Sequence, residues 1–377
     1  MASGGRAPLM KFRAAVLDRV GTPLTIDTLE MAPLAPGDVL IKVRASGLCH
    51  TDLEVIQGSL AYPLPIVLGH EGAGVVEAVG PAVSSVKPGD HVICSWNPHC
   101  GHCFYCERAV PILCEPFTRH QPRGLLLDGT TRMSRDGEKV HHYSVTSTHA
   151  EYTVVPESGA IVIPKEMPFD RACIIGCGVM TGVGAVVRKA KVEPGASVLV
   201  IGCGAVGLNA LQGARLAGAA TIIAADVGAA KLERAKAFGA THVVDAGATD
   251  AVDQVRALTA RRGADHVFEA AGHPAAFRLS VEAVRPAGQV VWLGKVNVNQ
   301  DVSFRWGSLM GEKRIVRSSY GDAVPKRDFP WLCSLWLDGK LELDALVTRR
   351  IRLDQINDGF ADLAQGIGIR TVIELPS

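Results

Sequence analysis

Over the first half of the chain, short apolar runs at residues 39–43, 74–79 and 91–94 are punctuated by Pro36-Gly37, Pro63 and Pro88-Gly89. Runs of that length bounded by turn-formers predict short strands of a loop-rich, antiparallel region. Near Gly178 the texture changes. Strand-like 197–201 leads into a helix pattern at 205–217, then strand 221–225, helix 229–238, strand 242–244, helix 250–261, strand 266–270, helix 275–284 and strand 289–293. Strands alternating with helices of about 10–15 residues predict βαβ units, and hence a parallel sheet covered on both faces. Beyond about Gly321 the rhythm stops, and the tail ending Arg370-Thr371-Val372-Ile373 is expected to return to the first region. Two domains are therefore expected, 1–178 together with 322–377, and 179–321.

The longest uncharged run, 195–214, has the length of a membrane span, but it contains five glycines, Asn209 and Gln212 and follows Pro194. A buried strand, a turn and a helix describe it better, and no membrane is expected. The 39 basic and 38 acidic residues leave a net charge of +1, so no positive field is available for nucleic acid. With 47% hydrophobic and 20% charged residues the composition is that of a globular protein, not a disordered one. The stretch 1–11 lacks the apolar core of a secretory leader, which predicts a cytoplasmic chain with reduced thiols. The ten cysteines then fall to metal binding or packing rather than disulfides.

Gly202-Cys203-Gly204-Ala205-Val206-Gly207 follows a strand-like run and opens a helix pattern. These glycines permit a tight turn, close approach of backbone to a pyrophosphate and close helix–strand packing, while the helix N-terminus offers free N–H groups. Asp226 ends the next strand about 20 residues on, where a carboxylate accepts from both adenosine ribose hydroxyls and repels a 2′-phosphate, predicting NAD over NADP. The competing readings are a Gly-rich turn in another α/β sheet, and a helix N-cap at Asp226.

Cys100, Cys103, Cys106 and Cys114 form C-x2-C-x2-C-x7-C in a loop rich in Pro and Gly. Four thiolates on one lobe suit a closed tetrahedral zinc site that contributes folding energy rather than chemistry, although an iron–sulfur cluster takes the same ligands. Cys49, His70 and Cys177 are dispersed. Two thiolates and an imidazole would leave zinc an open fourth position, the composition of a catalytic site; taken individually, each Cys reads as a buried apolar residue and His70 as a satisfied core histidine.

Taken together, these motifs give a chain that resembles the zinc-dependent medium-chain alcohol dehydrogenases over nearly its whole length. The resemblance rests on Cys49-His50-Thr51-Asp52, Gly69-His70-Glu71, the four-cysteine lobe, Gly176-Cys177-Gly178-Val179-Met180-Thr181-Gly182, the glycine fingerprint and Ile369-Arg370-Thr371. The stretch from Leu127 to Thr148 further resembles the branch of glutathione-dependent formaldehyde and liver-type enzymes. The implied fold class is α/β. A Rossmann doubly wound parallel sheet would bind NAD, beside a largely β, GroES-like catalytic domain whose structural zinc lobe occupies about 95–118.

The resemblance also implies roles. Cys49, His70 and Cys177 would hold a catalytic zinc and the four-cysteine lobe a structural one, two Zn2+ per chain. Glu71 would lie behind the catalytic metal, Asp52 would hydrogen-bond the far nitrogen of His70, and Thr51 would take the alcohol proton. His50 and Arg370 would contact the pyrophosphate and Lys231 the adenosine ribose, while Trp96 and Tyr143 would line the alcohol pocket. The implied reaction is zinc-assisted hydride transfer between a small primary alcohol, aryl or allylic given the two aromatic walls, and NAD in a cleft between domains. The implied assembly is a homodimer joined through the cofactor domains.

Two features depart from the family pattern. Glu54 replaces the usual proton-relay histidine, and the loop 58–65 has no acidic residues to hold a glutathione adduct, with Thr118 where an arginine is usual and Arg119 beside it. A thiol-dependent formaldehyde dehydrogenase is accordingly the alternative. A zinc-free reductase or an NAD-binding sensor on the same scaffold is a third reading.

Overall fold

The structure is a computed structural model and describes residues 9–376; the reading of the N-terminal stretch falls outside these as far as residue 8. The chain divides into two units. One comprises the chain through Gly176 with Pro325–Cys333 and everything from Leu343 on, and the other Cys177–Val324 with Ser334–Glu342.

In the first unit the strand Asp38–Gly47 is the hub. Eight of its ten positions are buried, as its Val39-Leu40-Ile41 and Ala45-Ser46-Gly47 runs require. One edge pairs antiparallel along its length with Glu71–Val79. The other is shared between Tyr152–Pro156, opposite 38–42, and the returning strand Arg370–Glu374, opposite 45–47. The tail thus comes back to the first region as expected. Register here places chemistry: Gly47 lies opposite Glu71, so Cys49 just beyond one strand and His70 just before the other emerge at the same end of the sheet. A second sheet, of the strands Met10–Leu17, Thr25–Met31, Met133–Arg135, Glu138–His142 and Ile66–Val67, closes into a small barrel.

The second unit is a six-stranded sheet, parallel throughout. From one edge its strands are His242–Asp245, Thr221–Asp226, Ser197–Ile201, Ala264–Glu269, Val284–Trp292 and Arg314–Arg317. Counted in chain order that is 3-2-1-4-5-6, the doubly wound dinucleotide-binding order. The strand beginning at Ser197 sits at the point where the order reverses, and the glycine fingerprint follows it.

Three differences from the sequence reading have local causes. The helix expected to run to 261 stops at Leu258, because Ala260 and Arg261 turn left-handed at φ 49° and 59°. Thr259 Oγ1 donates to the Val255 carbonyl and accepts the Gly263 N–H, closing that end. The stretch after 321 contains helices Pro325–Leu337 and Ile356–Ala364, the first obscured in sequence by Pro330 in its interior. Within that stretch, Ser334–Glu342 joins the second unit rather than the first, held by reciprocal bonds between the Gln212 side chain and the Glu342 backbone at 2.9 and 2.7 Å.

Among the described residues one helical run, Phe169–Ala190, is long and apolar enough to span a membrane; 83% of its apolar window is buried inside the protein, as in a core helix.

Candidate active site and metal centres

Cys49 precedes the short helix His50–Ile56 as its N-cap, with extended backbone at φ −124° and ψ 152°. Asp52, the third helical residue, reaches back so that its Oδ2 accepts the Cys49 N–H at 3.1 Å. Its Oδ1 accepts the Gly69 N–H at 3.2 Å and lies 3.1 Å from His70 Nδ1. The helix-capping and histidine-orienting readings of Asp52 are therefore the same geometry. With Nδ1–H directed at Asp52, His70 turns Nε2 toward the cysteines. The third ligand comes from the helix starting at Phe169, which packs on strands Asp38–Gly47 and Glu71–Val79. A Cβ on Gly176 would lie 2.9 Å from the Cys94 carbonyl, so the helix approaches strand His91–Cys94 as closely as glycine allows, and Cys177 follows directly.

Ligand atoms of Cys49, His70, Glu71 and Cys177 all lie within 4.8 Å of one another. Burial opposes a charge on His70, yet Asp52 and Cys49 outweigh it and hold the ring well above the usual imidazole range. A cation is what such surroundings accept, and two sulfurs with one imidazole are a zinc donor set. Glu71 is fully buried behind them, 3.2 Å from Arg370 Nη2. Burial pushes its carboxyl up to about 7 against the pull of Arg370. Arg370 is buried, with its guanidinium against Glu71. Thr51 Oγ1 lies 3.8 Å from Cys49 Sγ, His50 is exposed at the helix start, and Glu54 is half-buried one turn further on.

The aromatic residues divide. Tyr143, fully buried, sets its ring edge-on to His70 at 5.6 Å and to Tyr62 at 5.0 Å. Tyr62, in turn, accepts a hydrogen bond from Gln121 Nε2. Trp96, half-buried, packs 6.4 Å from Phe117, in the cluster that includes the four-cysteine lobe.

In the lobe the four sulfurs lie within 4.8 Å of one another; tetrahedral zinc at about 2.3 Å from each sulfur needs separations of about 3.8 Å. The Cys100 N–H donates to Cys114 Sγ at 3.3 Å and the Glu115 N–H to Cys103 Sγ at 3.4 Å, bonds that favour thiolate. Desolvation raises the Cys103 thiol, but the Glu115 and Cys106 N–H groups and the neighbouring thiols bring it down to about 6. All ten cysteines are free thiols.

In the second unit Gly202 sits at φ 95°, and a Cβ on Gly207 would fall 1.7 Å from the Gly202 carbonyl. A Cβ on Gly204 would meet nothing within 4 Å. The turn is therefore closed on its protein side and open where a pyrophosphate would lie, at the start of helix Ala205–Leu216, whose first N–H groups have no side-chain cap. Ala205 and Val206 form the first helical positions. Asp226 accepts the Cys203 N–H at 2.8 Å and the Gly228 N–H at 2.9 Å, with Lys231 Nζ 3.9 Å away and half exposed. Rather than capping the next helix, whose N-cap is Gly228, Asp226 ties that helix to the glycine turn.

Tyr62 and His149 were not singled out in the sequence. Tyr62 lies in a Pro-rich loop, and His149 follows a polar Thr-Ser-Thr run; neither spacing announces a site.

Residues 35–165 match the alcohol dehydrogenase GroES-like domain family and residues 205–337 the zinc-binding dehydrogenase family. The S-(hydroxymethyl)glutathione dehydrogenase of Escherichia coli O1:K1 is 42% identical over 97% of this chain and its own full length. Of solved structures, an alcohol dehydrogenase zinc-binding domain protein from Burkholderia ambifaria superposes with TM-score 0.93 at 38% identity, over 98% of this chain and all of its own. The benzyl alcohol dehydrogenase of Acinetobacter calcoaceticus superposes with TM-score 0.92 at 33% identity, over the same shares. These matches decide between zinc and iron–sulfur at the lobe, and with the two metal sets and the nucleotide turn they place the chain in the zinc-dependent medium-chain alcohol dehydrogenase family, as an oxidoreductase using zinc and a nicotinamide cofactor.

Proposed function

We propose that this enzyme oxidises a primary alcohol bearing an aryl or allylic group to the aldehyde, or catalyses the reverse, with NAD as the hydride acceptor. The observation that carries the reading is the meeting of Cys49, His70 and the half-buried Cys177, whose three donors leave a fourth coordination position for substrate. Zinc held there supplies Lewis acidity that brings a hydroxyl pKa toward neutrality, and NAD supplies the hydride acceptor.

The chain's own groups do the rest. Asp52 fixes the His70 tautomer; Thr51, beside Cys49, takes the substrate proton; and Glu54, one turn on, offers an onward acceptor in place of the family's histidine. Tyr143 beside His70, with Tyr62 against Tyr143, supplies an aromatic wall, which suits an aryl group, in keeping with the likeness to a benzyl alcohol dehydrogenase. Asp226 keeps its carboxylate at the end of the strand after the fingerprint, where it disfavours a 2′-phosphate. Trp96 remains part of the proposed alcohol wall, His50, Lys231 and Arg370 of the proposed cofactor set, and a cytoplasmic homodimer the proposed state.

A second reading is favoured by the 42% identical S-(hydroxymethyl)glutathione dehydrogenase: oxidation of a formaldehyde–thiol adduct. The loop 58–65, without a carboxylate, and Thr118 argue against it. Steady-state NADH formation separates the two. Benzyl and allyl alcohols are expected to turn over with NAD and without added thiol, much better than with NADP. Turnover of formaldehyde only in the presence of glutathione, with aryl alcohols inert, overturns the first reading.

A further inference from the structure

Asp52 is the most heavily used side chain at the proposed catalytic metal, and it has one vacancy. An ionised carboxylate offers about four lone-pair positions. Oδ1 is taken by the Gly69 N–H and His70 Nδ1, and Oδ2 by the Cys49 N–H. The sector of Oδ2 that remains faces His149 Nε2 at 3.9 Å. His149 is fully buried, and its Nε2 has no hydrogen-bond partner.

The ring is locked in place. The His149 backbone N–H donates to the Leu68 carbonyl at 3.0 Å and the His149 backbone carbonyl accepts the Ala15 N–H at 2.9 Å. A Cβ on Gly69 would fall 2.6 Å from both the His149 backbone nitrogen and Nδ1, so only glycine, here at φ 96°, lets the imidazole lie against the residue preceding His70. Phe360 closes the far side edge-on at 5.9 Å.

The tautomer follows from the other nitrogen. Nδ1 lies 2.9 Å from Ser46 Oγ, itself 2.7 Å from Thr148 Oγ1. If Thr148 donates to Ser46 and Ser46 to Nδ1, the proton stays on Nε2 and points at a carboxylate. The opposite tautomer aims a lone pair at that carboxylate, which costs energy in a buried site. At 3.9 Å the contact is not a hydrogen bond, but an N–H dipole directed at an anion in low dielectric is attractive. Burial holds the ring neutral, with its pKa pushed down to about 4.

We infer that His149 is a positioning residue: through the chain Thr148, Ser46, His149 and Asp52 it orients the carboxylate that holds His70 and the Cys49 backbone, and so stabilises the catalytic metal. The inference rests on reading Cys49, His70 and Cys177 as a zinc site. Glutamine places an amide N–H near the position of Nε2, asparagine near that of Nδ1, and phenylalanine keeps only the ring, so three substitutions separate the contacts.

The test is made on the purified, zinc-loaded enzyme. Zinc release to excess dipicolinate is timed for His149→Gln, His149→Asn and His149→Phe, and the visible spectrum is recorded after cobalt replaces the catalytic zinc. His149→Gln is expected within about twofold of wild type, and His149→Asn and His149→Phe to release the catalytic zinc about tenfold faster with a shifted cobalt spectrum, at the lower end for outer-shell partners of a metal ligand. Release from His149→Phe at the wild-type rate with an unchanged spectrum, or equal losses from Gln and Asn, overturns the inference. Should His149→Phe not fold, Ser46→Ala leaves the ring in place and frees the tautomer. It is expected to release zinc faster than wild type but more slowly than His149→Asn, and an unchanged rate overturns the inference equally. A wild-type zinc content of one per chain would instead refute the catalytic-zinc reading beneath it.

Discussion

Asp52 shows how one side chain serves folding and chemistry together. The same carboxylate caps the helix that begins at His50, holds the Gly69 N–H and sets the His70 tautomer. Asp52→Asn is nearly isosteric but exchanges one acceptor oxygen for a donor, facing at least one N–H with another. Catalytic zinc affinity is expected to fall about 10–100-fold while the lobe zinc stays, as read by metal analysis after graded chelation. An unchanged affinity would show that His70 is oriented by other means. At this scale the sequence was partly legible. Cys49, His70 and Cys177 were named through resemblance, because nothing in their separations of 21 and 107 residues reveals that they meet. Tyr62 and His149 were illegible, since Tyr62 reaches the site through its ring contact with Tyr143 and a glycine at positive φ lets His149 lie against it.

Among the elements, the glycine turn and the parallel sheet allow sharper tests. Gly207 and Gly204 look alike in sequence but face different ways. Gly207→Ala drives a Cβ to 1.7 Å from a backbone carbonyl, and is expected to destabilise the second unit by about 1–3 kcal/mol or more. Gly204→Ala meets nothing; it should leave thermal stability unchanged and weaken NAD binding, measured by fluorescence titration. The reverse pattern would contradict the orientation of the turn.

Asp265 joins the starts of two neighbouring strands, accepting from Ser197 N at 2.7 Å, Ser197 Oγ at 2.6 Å and Arg285 Nε at 2.5 Å. Desolvation raises its carboxyl, but the Ser197 bonds and Arg285 prevail and hold it at about 2, against the usual 3.8. A lowered carboxylate stabilises the fold above its unfolded pKa, and that stability is lost as pH falls through the folded one. Asp265→Asn is therefore expected to cost about 1–2 kcal/mol at pH 7, after discounting for partial exposure. The difference from wild type should shrink below pH 4 and be mostly gone by about pH 2 in urea unfolding; a pH-independent difference would locate the loss elsewhere. The alternating strands and helices were legible because both periods repeat across the sheet. The helix end at Leu258 was not, since it depends on two left-handed residues that are not glycine, nor was Pro325–Leu337, whose internal Pro330 mimics a breaker.

At the scale of the whole molecule, two metal sets and a nucleotide turn occur in one chain of a known dehydrogenase family. The lobe set is closed by four thiolates and should hold its metal for folding, whereas the Cys49, His70 and Cys177 set should hold its metal for chemistry. Cys49→Ser divides these roles in a single preparation, assayed for NADH formation from a primary alcohol and for zinc per chain. Turnover is expected to fall by about three orders of magnitude or more, as for loss of an essential group, with zinc falling from two per chain to one and the fold retained. Undiminished turnover in that variant would contradict this assignment.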